Sequence, residues 1–254
     1  MQRIDSDENK KLKRLISLKQ KKVRVKEGLF LIEGIKMVNE ALDSYKAVDF
    51  ILISDSFLLK SETFVRELEK SAIEIYITRD GLFNRCSSLA TPQGILAQLK
   101  IRKEGLEDIP RDKNIVMLDA LKDPGNLGTI VRTADAFGFG GVLLLPDCAE
   151  IYNPKTVQAA MGSILRVPCL NVEYDSLDML KNAGYLVYGM DSSGEDMREE
   201  KFPGKSVVVI GSESHGLSRE TVQRCDRLIS INMSGGAESL NAAVAAGIIM
   251  NRLS

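Results

Sequence analysis

The chain has 254 residues, 44% of them hydrophobic, and nearly balanced charge, with 34 Lys or Arg against 35 Asp or Glu. That length and apolar content suit one large or two medium domains with full cores, and the balance argues against a protein that coats nucleic acid over its whole surface. Cys86, Cys148, Cys169 and Cys225 are scattered without a CxxC pair, which excludes a zinc ribbon or disulfide frame and suits reduced, mostly buried thiols.

Residues 10–26 hold nine Lys or Arg (Lys10, Lys11, Lys13, Arg14, Lys19, Lys21, Lys22, Arg24, Lys26) and no acid. They read as a basic helix with Leu12, Leu15, Ile16 and the Lys19 stem as its apolar stripe. Such a block attracts a phosphate backbone through counterion release, without sequence preference; a solvated helix face is the alternative. Strands are predicted over 29–32, 50–54, 73–78 and 94–99, with helices over 36–42 and 62–71. Strands alternating with helices indicate a small α/β domain over 1–100. Residues 101–113 (IRKEGLEDIPRDK) are charged and carry Gly and Pro, as a linker does.

The remainder, 114–254, repeats the rhythm, with strands predicted over 115–118, 141–145, 186–189, 206–210 and 228–231. Continuous runs such as Val207-Val-Val-Ile210 suit strands covered on both faces, hence a parallel sheet. The polar N-terminus lacks the apolar core of a signal peptide, and the longest apolar run, 242–250, is too short to span a bilayer. A cytoplasmic protein without membrane or metal partners is expected.

Three loops carry the chemistry. In the first, Asp123-Pro-Gly-Asn-Leu-Gly follows an apolar strand and opens a helix, with Asn126 as the expected N-cap. Leu127, Ile130, Val131, Ala134 and Phe137 recur at helical spacing and face a core, which leaves Thr129, Arg132 and Thr133 on another face. Ligands of open α/β sheets bind at such carboxyl-end loops. The bland alternative for Arg132 is a solvated charge paired with Asp135.

The second loop, Gly211-Ser-Glu-Ser-His-Gly-Leu-Ser218, has the glycine frame of a phosphate loop, but Leu217 stands where its lysine would be and Glu213 would repel phosphate. This argues against a nucleotide hydrolase and suits a ligand with hydroxyls and amines. His215, the single histidine, is read as incidental. In the third loop, Glu238-Ser-Leu-Asn241 precedes an Ala- and Gly-rich helix that must lie close to another backbone, with Ser239 the expected cap.

Together the three loops resemble the signature motifs of the SpoU (TrmH-like) branch of the SPOUT methyltransferases, in that family's order and spacing. Phe30-Leu-Ile-Glu-Gly34 and Thr91-Pro-Gln-Gly94 resemble its L30e-like substrate-binding domain. The resemblance implies a parallel-sheet α/β domain with a deep trefoil knot, preceded by the L30e-like domain. It implies methyl transfer from S-adenosylmethionine to a ribose 2′-hydroxyl of RNA, ribosomal (23S before 16S) ahead of transfer RNA, by a homodimer with its active site at the interface. A non-catalytic RNA-binding assembly factor on the same scaffold is the alternative from another class.

By motif position, Arg132 is the central catalytic residue, supported by Asn126, with Glu213, Ser239 and Asn241 completing the polar site. Gly211, Ile231, Leu240 and Met190 would hold the cofactor. The family proposal makes the arginine a general base, but a guanidinium with a pKa above about 12 does not readily release its proton. Gripping the target phosphate and stabilising the developing alkoxide are roles it can fill while charged. Asn232 stands where the family usually has proline.

Overall fold

The computed structural model describes residues 1–45, 47–202 and 204–254. The chain divides into two compact units, residues 1–103 with 152–158, and residues 104–151 with 159–254.

The first unit runs β1 (Gln2–Arg3), α1 (Lys10–Ser17), α2 (Lys21–Glu27), β2 (Leu29–Glu33), α3 (Ile35–Ser44), β3 (Val48–Ser54), α4 (Asp55–Lys60), α5 (Glu62–Leu68), β4 (Glu74–Thr78), α6 (Asp80–Cys86) and β5 (Ile95–Lys100). Its sheet has the order β1-β4-β3-β5-β2, with β5 antiparallel to both neighbours. Leu12 and Leu15 of α1 pack with Phe50, Leu52, Tyr76, Phe83 and Leu96 in the core.

The expected basic helix is in fact two. Leu18 turns into the core, Gln20 takes an extended conformation, and Arg24 folds back to donate to the Leu18 carbonyl at 2.6 Å. Arg24 is therefore a buried structural cation, not part of a solvated face. The helix predicted over 62–71 is likewise preceded by a separate one, because Ser54 caps α4 by accepting from the Phe57 N–H.

The rest of the chain runs β6 (Ile115–Leu118), α7 (Pro124–Ala136), β7 (Gly141–Leu144), α8 (Pro154–Ala160), β8 (Cys169–Asn171), α9 (Asp175–Asn182), β9 (Leu186–Asp196), β10 (Ser206–Ile210), α10 (Arg219–Arg224), β11 (Arg227–Ser230) and α11 (Ala242–Leu253), all in the second unit except most of α8, which belongs to the first. All six strands are parallel, in the order β11-β9-β10-β6-β7-β8. Ile115, Met117, Leu143, Val207 and Val209 are fully buried, as the continuous apolar runs require of a sheet covered on both faces.

Strand β9 runs well past Gly189, where the apolar signal ends. Its polar extension rejoins β11 after a register shift, Leu228 facing Gly189 and Ile229 facing Glu195, and it lies close there because Gly194 has no side chain: a Cβ would meet the Leu228 carbonyl carbon and Ile229 nitrogen at 2.5 Å. The carboxyl ends of β6, β9, β10 and β11 consequently lie side by side, and every candidate loop springs from one of them.

Candidate active site

The first loop leaves β6 at Asp119, passes Ala120 in the left-handed region (φ 52°), and enters α7 with Asp123 as N-cap. Asp123 Oδ1 accepts from the Asn126 N–H at 2.7 Å, and Pro124 occupies the first helical position, where no N–H is needed. Asn126 is therefore not the cap that the sequence suggests. It sits inside the first turn, which frees its side-chain amide to project from the helix.

That amide joins all three loops. Asn126 Nδ2 donates to Glu213 Oε1 in the second loop, and Asn126 Oδ1 accepts from Asn241 Nδ2 in the third at 3.0 Å. The orientation is fixed by the partners: a carboxylate can only accept from the NH₂ end, so the oxygen must face Asn241. Asn241 is also the cap of α11, accepting from the Ala243 and Val244 N–H groups. Ser239, the cap expected from sequence, does not cap; α11 begins at Ala242, so Asn241 is the residue whose side chain lies over those N–H groups.

Arg132 lies about 9 Å further along α7, six residues at about 1.5 Å each. It is exposed and makes no ion pair or hydrogen bond among the described residues. The bland pairing with Asp135 does not occur. Asp135 is engaged by Arg166 at 2.7 Å and by the Ser163 hydroxyl at 2.8 Å, so it has no need of Arg132. Thr129 and Thr133 spend their hydroxyls on helix carbonyls one turn back.

A cavity of about 160 Å³ opens between β9, β11 and the third loop, lined by Met190, Asp191, Ser192, Ser230, Ile231, Met233, Glu238, Ser239, Leu240 and Ala245. Three of the four expected cofactor contacts, Met190, Ile231 and Leu240, meet here together with Ser239. Gly211 is not in its lining. It ends β10, where the loop folds back so tightly that a Cβ would meet the Gly216 carbonyl at 2.3 Å. Ser212 and Gly216 close that loop with paired backbone bonds, and His215 is exposed and, among the described residues, bonded only to its neighbours Ser214 and Ser212.

Two acids escaped the sequence reading. Asp191 follows the strand predicted to end at Gly189; the Ser193 hydroxyl and N–H hold its carboxyl below the ordinary range, so it faces the cavity charged at neutral pH. Asp119 is fully buried, accepts from the Ser218 N–H at 2.7 Å and donates its own N–H to the Ile210 carbonyl. It pins the second loop to the end of β6. An acid directly after an apolar strand was the available signal. Asn232, at the position where the family usually has proline, lies near Asp196 of β9, whose carboxyl is held down to about 2, chiefly by Arg198.

The thiols take no part. Burial pushes Cys86 and Cys148 up to about 11 and Cys225 up to about 12, so they stay protonated near neutrality. Among the described residues, no group of three His, Cys, Asp or Glu is placed to hold a metal, and no helix is long and apolar enough to cross a membrane.

The chain belongs to the SpoU rRNA methylase family, whose model matches residues 113–251; residues 9–97 match the MRM3-like substrate binding domain. It is 34% identical over 255 residues to the 23S rRNA (guanosine(2553)-2'-O)-methyltransferase RlmP of Bacillus subtilis, covering 100% of this chain and 99% of that one. It is also 34% identical to the 23S rRNA (guanosine-2'-O-)-methyltransferase RlmB of Neisseria meningitidis, over 87% of this chain and 92% of that one. The AdoMet-bound rRNA methyltransferase of Sinorhizobium meliloti superimposes with a TM-score of 0.87 at 28% identity, over 98% of this chain and 95% of that one.

Proposed function

We propose that the protein transfers the methyl group of S-adenosylmethionine to a ribose 2′-hydroxyl of ribosomal RNA, with the 23S molecule as substrate. The observation that carries this reading is the single amide of Asn126 joining three motif loops beside a cavity that suits the cofactor. Met190, Ile231 and Leu240 offer apolar surface to the adenine and the methionine chain, and the charged Asp191 offers acceptors for hydroxyls or an amine. The cofactor supplies an electrophilic methyl on a sulfonium. Gly211 acts one step away, by holding the second loop tight at the end of β10.

In this reading the chain's residues position and polarise. Arg132 grips the phosphate next to the target ribose and stabilises charge on the 2′-oxygen as it forms, while Asn126, Glu213 and Asn241 fix the three loops, and Ser239 sits at the cavity mouth. Arg132 makes no bond to that cluster in its own chain, which fits a site completed by a second copy. A homodimer is further supported by Val244 and Ile248, which are 51% and 37% exposed on α11. The opposite face of α11, with Ala242, Ala243 and Ala246, is buried, and Gly247 lies near Thr133 of α7.

The third loop leaves β11 at the sheet edge and returns the chain to α7, a path that supports a knotted C-terminal segment. Residues 1–100 would be the substrate-binding domain, 101–113 the linker and 114–254 the methyltransferase. A cytoplasmic location follows from the substrate.

Purified protein incubated with radiolabelled S-adenosylmethionine should methylate 23S RNA from cells lacking its gene. Mapping should then find one 2′-O-methyl nucleotide restored. Failure to bind the cofactor, or unchanged 2′-O-methylation on gene deletion, would overturn the assignment.

The Asn126 junction gives a second expectation. Asn126→Asp sets a carboxylate against Glu213, and like charges this close repel, so kcat/KM should fall on the order of tenfold. Adding Glu213→Gln restores a donor facing Asp and should recover most of the loss, a coupling that a double-mutant cycle measures. Additive losses would mean that the two side chains do not act as a pair.

A further inference from the structure

The nine cations of residues 10–26 divide sharply in the folded chain. Lys11 lies 4.6 Å from the Tyr76 ring centre and pairs with Glu74, Lys13 pairs with Glu8, and Arg14 pairs with Glu27 at 3.3 Å. Lys19 donates to the Ser87 carbonyl and Arg24 to that of Leu18. Lys10, Lys21, Lys22 and Lys26 are left exposed, with no ion pair or hydrogen bond among the described residues.

Three of those four are on α2. At 3.6 residues per turn, Lys21, Lys22, Val25 and Lys26 fall within an arc of about 140° on one face. Arg24, on the other side, is 2% exposed and anchors the helix. The one acid of α2, Glu27, is taken by Arg14, so no free acid on the helix itself offsets the lysines. Val25, 67% exposed, stands among them as a single apolar contact. Free lysines held on an anchored helix neutralise a phosphate backbone better than lysines engaged with neighbouring acids, because only free ones release counterions in exchange.

We infer that this face of α2 is a docking surface for the RNA sugar–phosphate backbone, formed by Lys21, Lys22 and Lys26 and separate from the methyl-transfer loops. The inference rests on the RNA-methyltransferase reading, and it moves the contact from the whole basic block to one short helix. Residues 9–97 match a substrate-binding domain model, which favours RNA over an anionic lipid as the occupant.

The test compares the full chain with K21Q/K22Q/K26Q and with a control, K60Q/K70Q, on a transcribed 23S RNA fragment across a salt series. The dependence of log affinity on log salt should flatten by about 2 to 3 in the triple variant, at roughly 0.7 to 0.9 per lost phosphate contact. The KM for RNA should rise on the order of tenfold at constant kcat and cofactor affinity, and the control should match the parent. An unaltered slope overturns the proposal. So does an equal change in the control, or loss of binding to phosphatidylglycerol vesicles with RNA binding intact. Should the parent bind RNA through these lysines yet methylate none, the docking surface stands and the methyl-transfer reading fails.

Discussion

Arg132→Ala should lower methyl transfer to ribosomal RNA by roughly 10²- to 10³-fold, the scale on which removing one preorganised charge stabiliser acts. Cofactor affinity should be unchanged, because Arg132 is not among the residues lining the cavity. Melting temperature should also hold, since the side chain is exposed and pairs with nothing among the described residues. Arg132→Lys keeps the charge but loses the two-pronged donor geometry, and should recover only part of the rate. Single-turnover methyl transfer at saturating RNA, beside calorimetric cofactor binding, separates these effects. A full rate in Arg132→Ala would return the residue to the solvated charge that its surroundings alone permit.

Gly211→Ala should be the most damaging small substitution. The added methyl would meet the Gly216 carbonyl carbon and oxygen at 2.2 and 2.3 Å and the Leu217 nitrogen at 2.6 Å, all backbone. No rotamer relieves that overlap, so the second loop must open, at a cost of about 1–3 kcal/mol for a forced repacking. Opening moves Glu213 away from Asn126 and strains the bond that the Ser218 N–H donates to Asp119. Methyl transfer should fall at least as far as in Arg132→Ala, and the melting temperature should drop with it. The two variants differ in that second readout. An active Gly211→Ala protein with native stability would show that the loop's closure is dispensable.

Much of the fold was legible because buried parallel strands announce themselves. The runs at 115–118 and 206–210 match β6 and β10 residue for residue. Strand β8, with three residues, is too short for a periodic signal, and the outer half of β9 is polar, held by backbone pairing that sequence does not encode. The cap assignments failed for a common reason. Asp123 and Asn126, like Ser239 and Asn241, are rival caps a few residues apart, and backbone conformation, not side-chain chemistry, decides between them. Each error hid a site feature: a capping Asn126 could not also have bridged Glu213 and Asn241. In the basic block, charge could be counted but pairing could not, since Glu74 and Ser87 approach it only through the fold.

The Asn126 bridge also bears on how the protein handles two ligands at once. Asn241 ends the loop that walls the cavity, Glu213 belongs to the loop from β10, and one side chain of α7, Asn126, bonds to both. Whatever orders the cavity wall therefore lowers the entropy left to lose when a second molecule settles against α7, and the reverse holds to the same degree. The two binding events share one coupling free energy, reciprocal by thermodynamic necessity. On the proposed function, filling the cavity should make the protein more receptive to RNA, and engaging RNA should tighten the cavity in equal measure, which cofactor affinity measured with and without RNA checks.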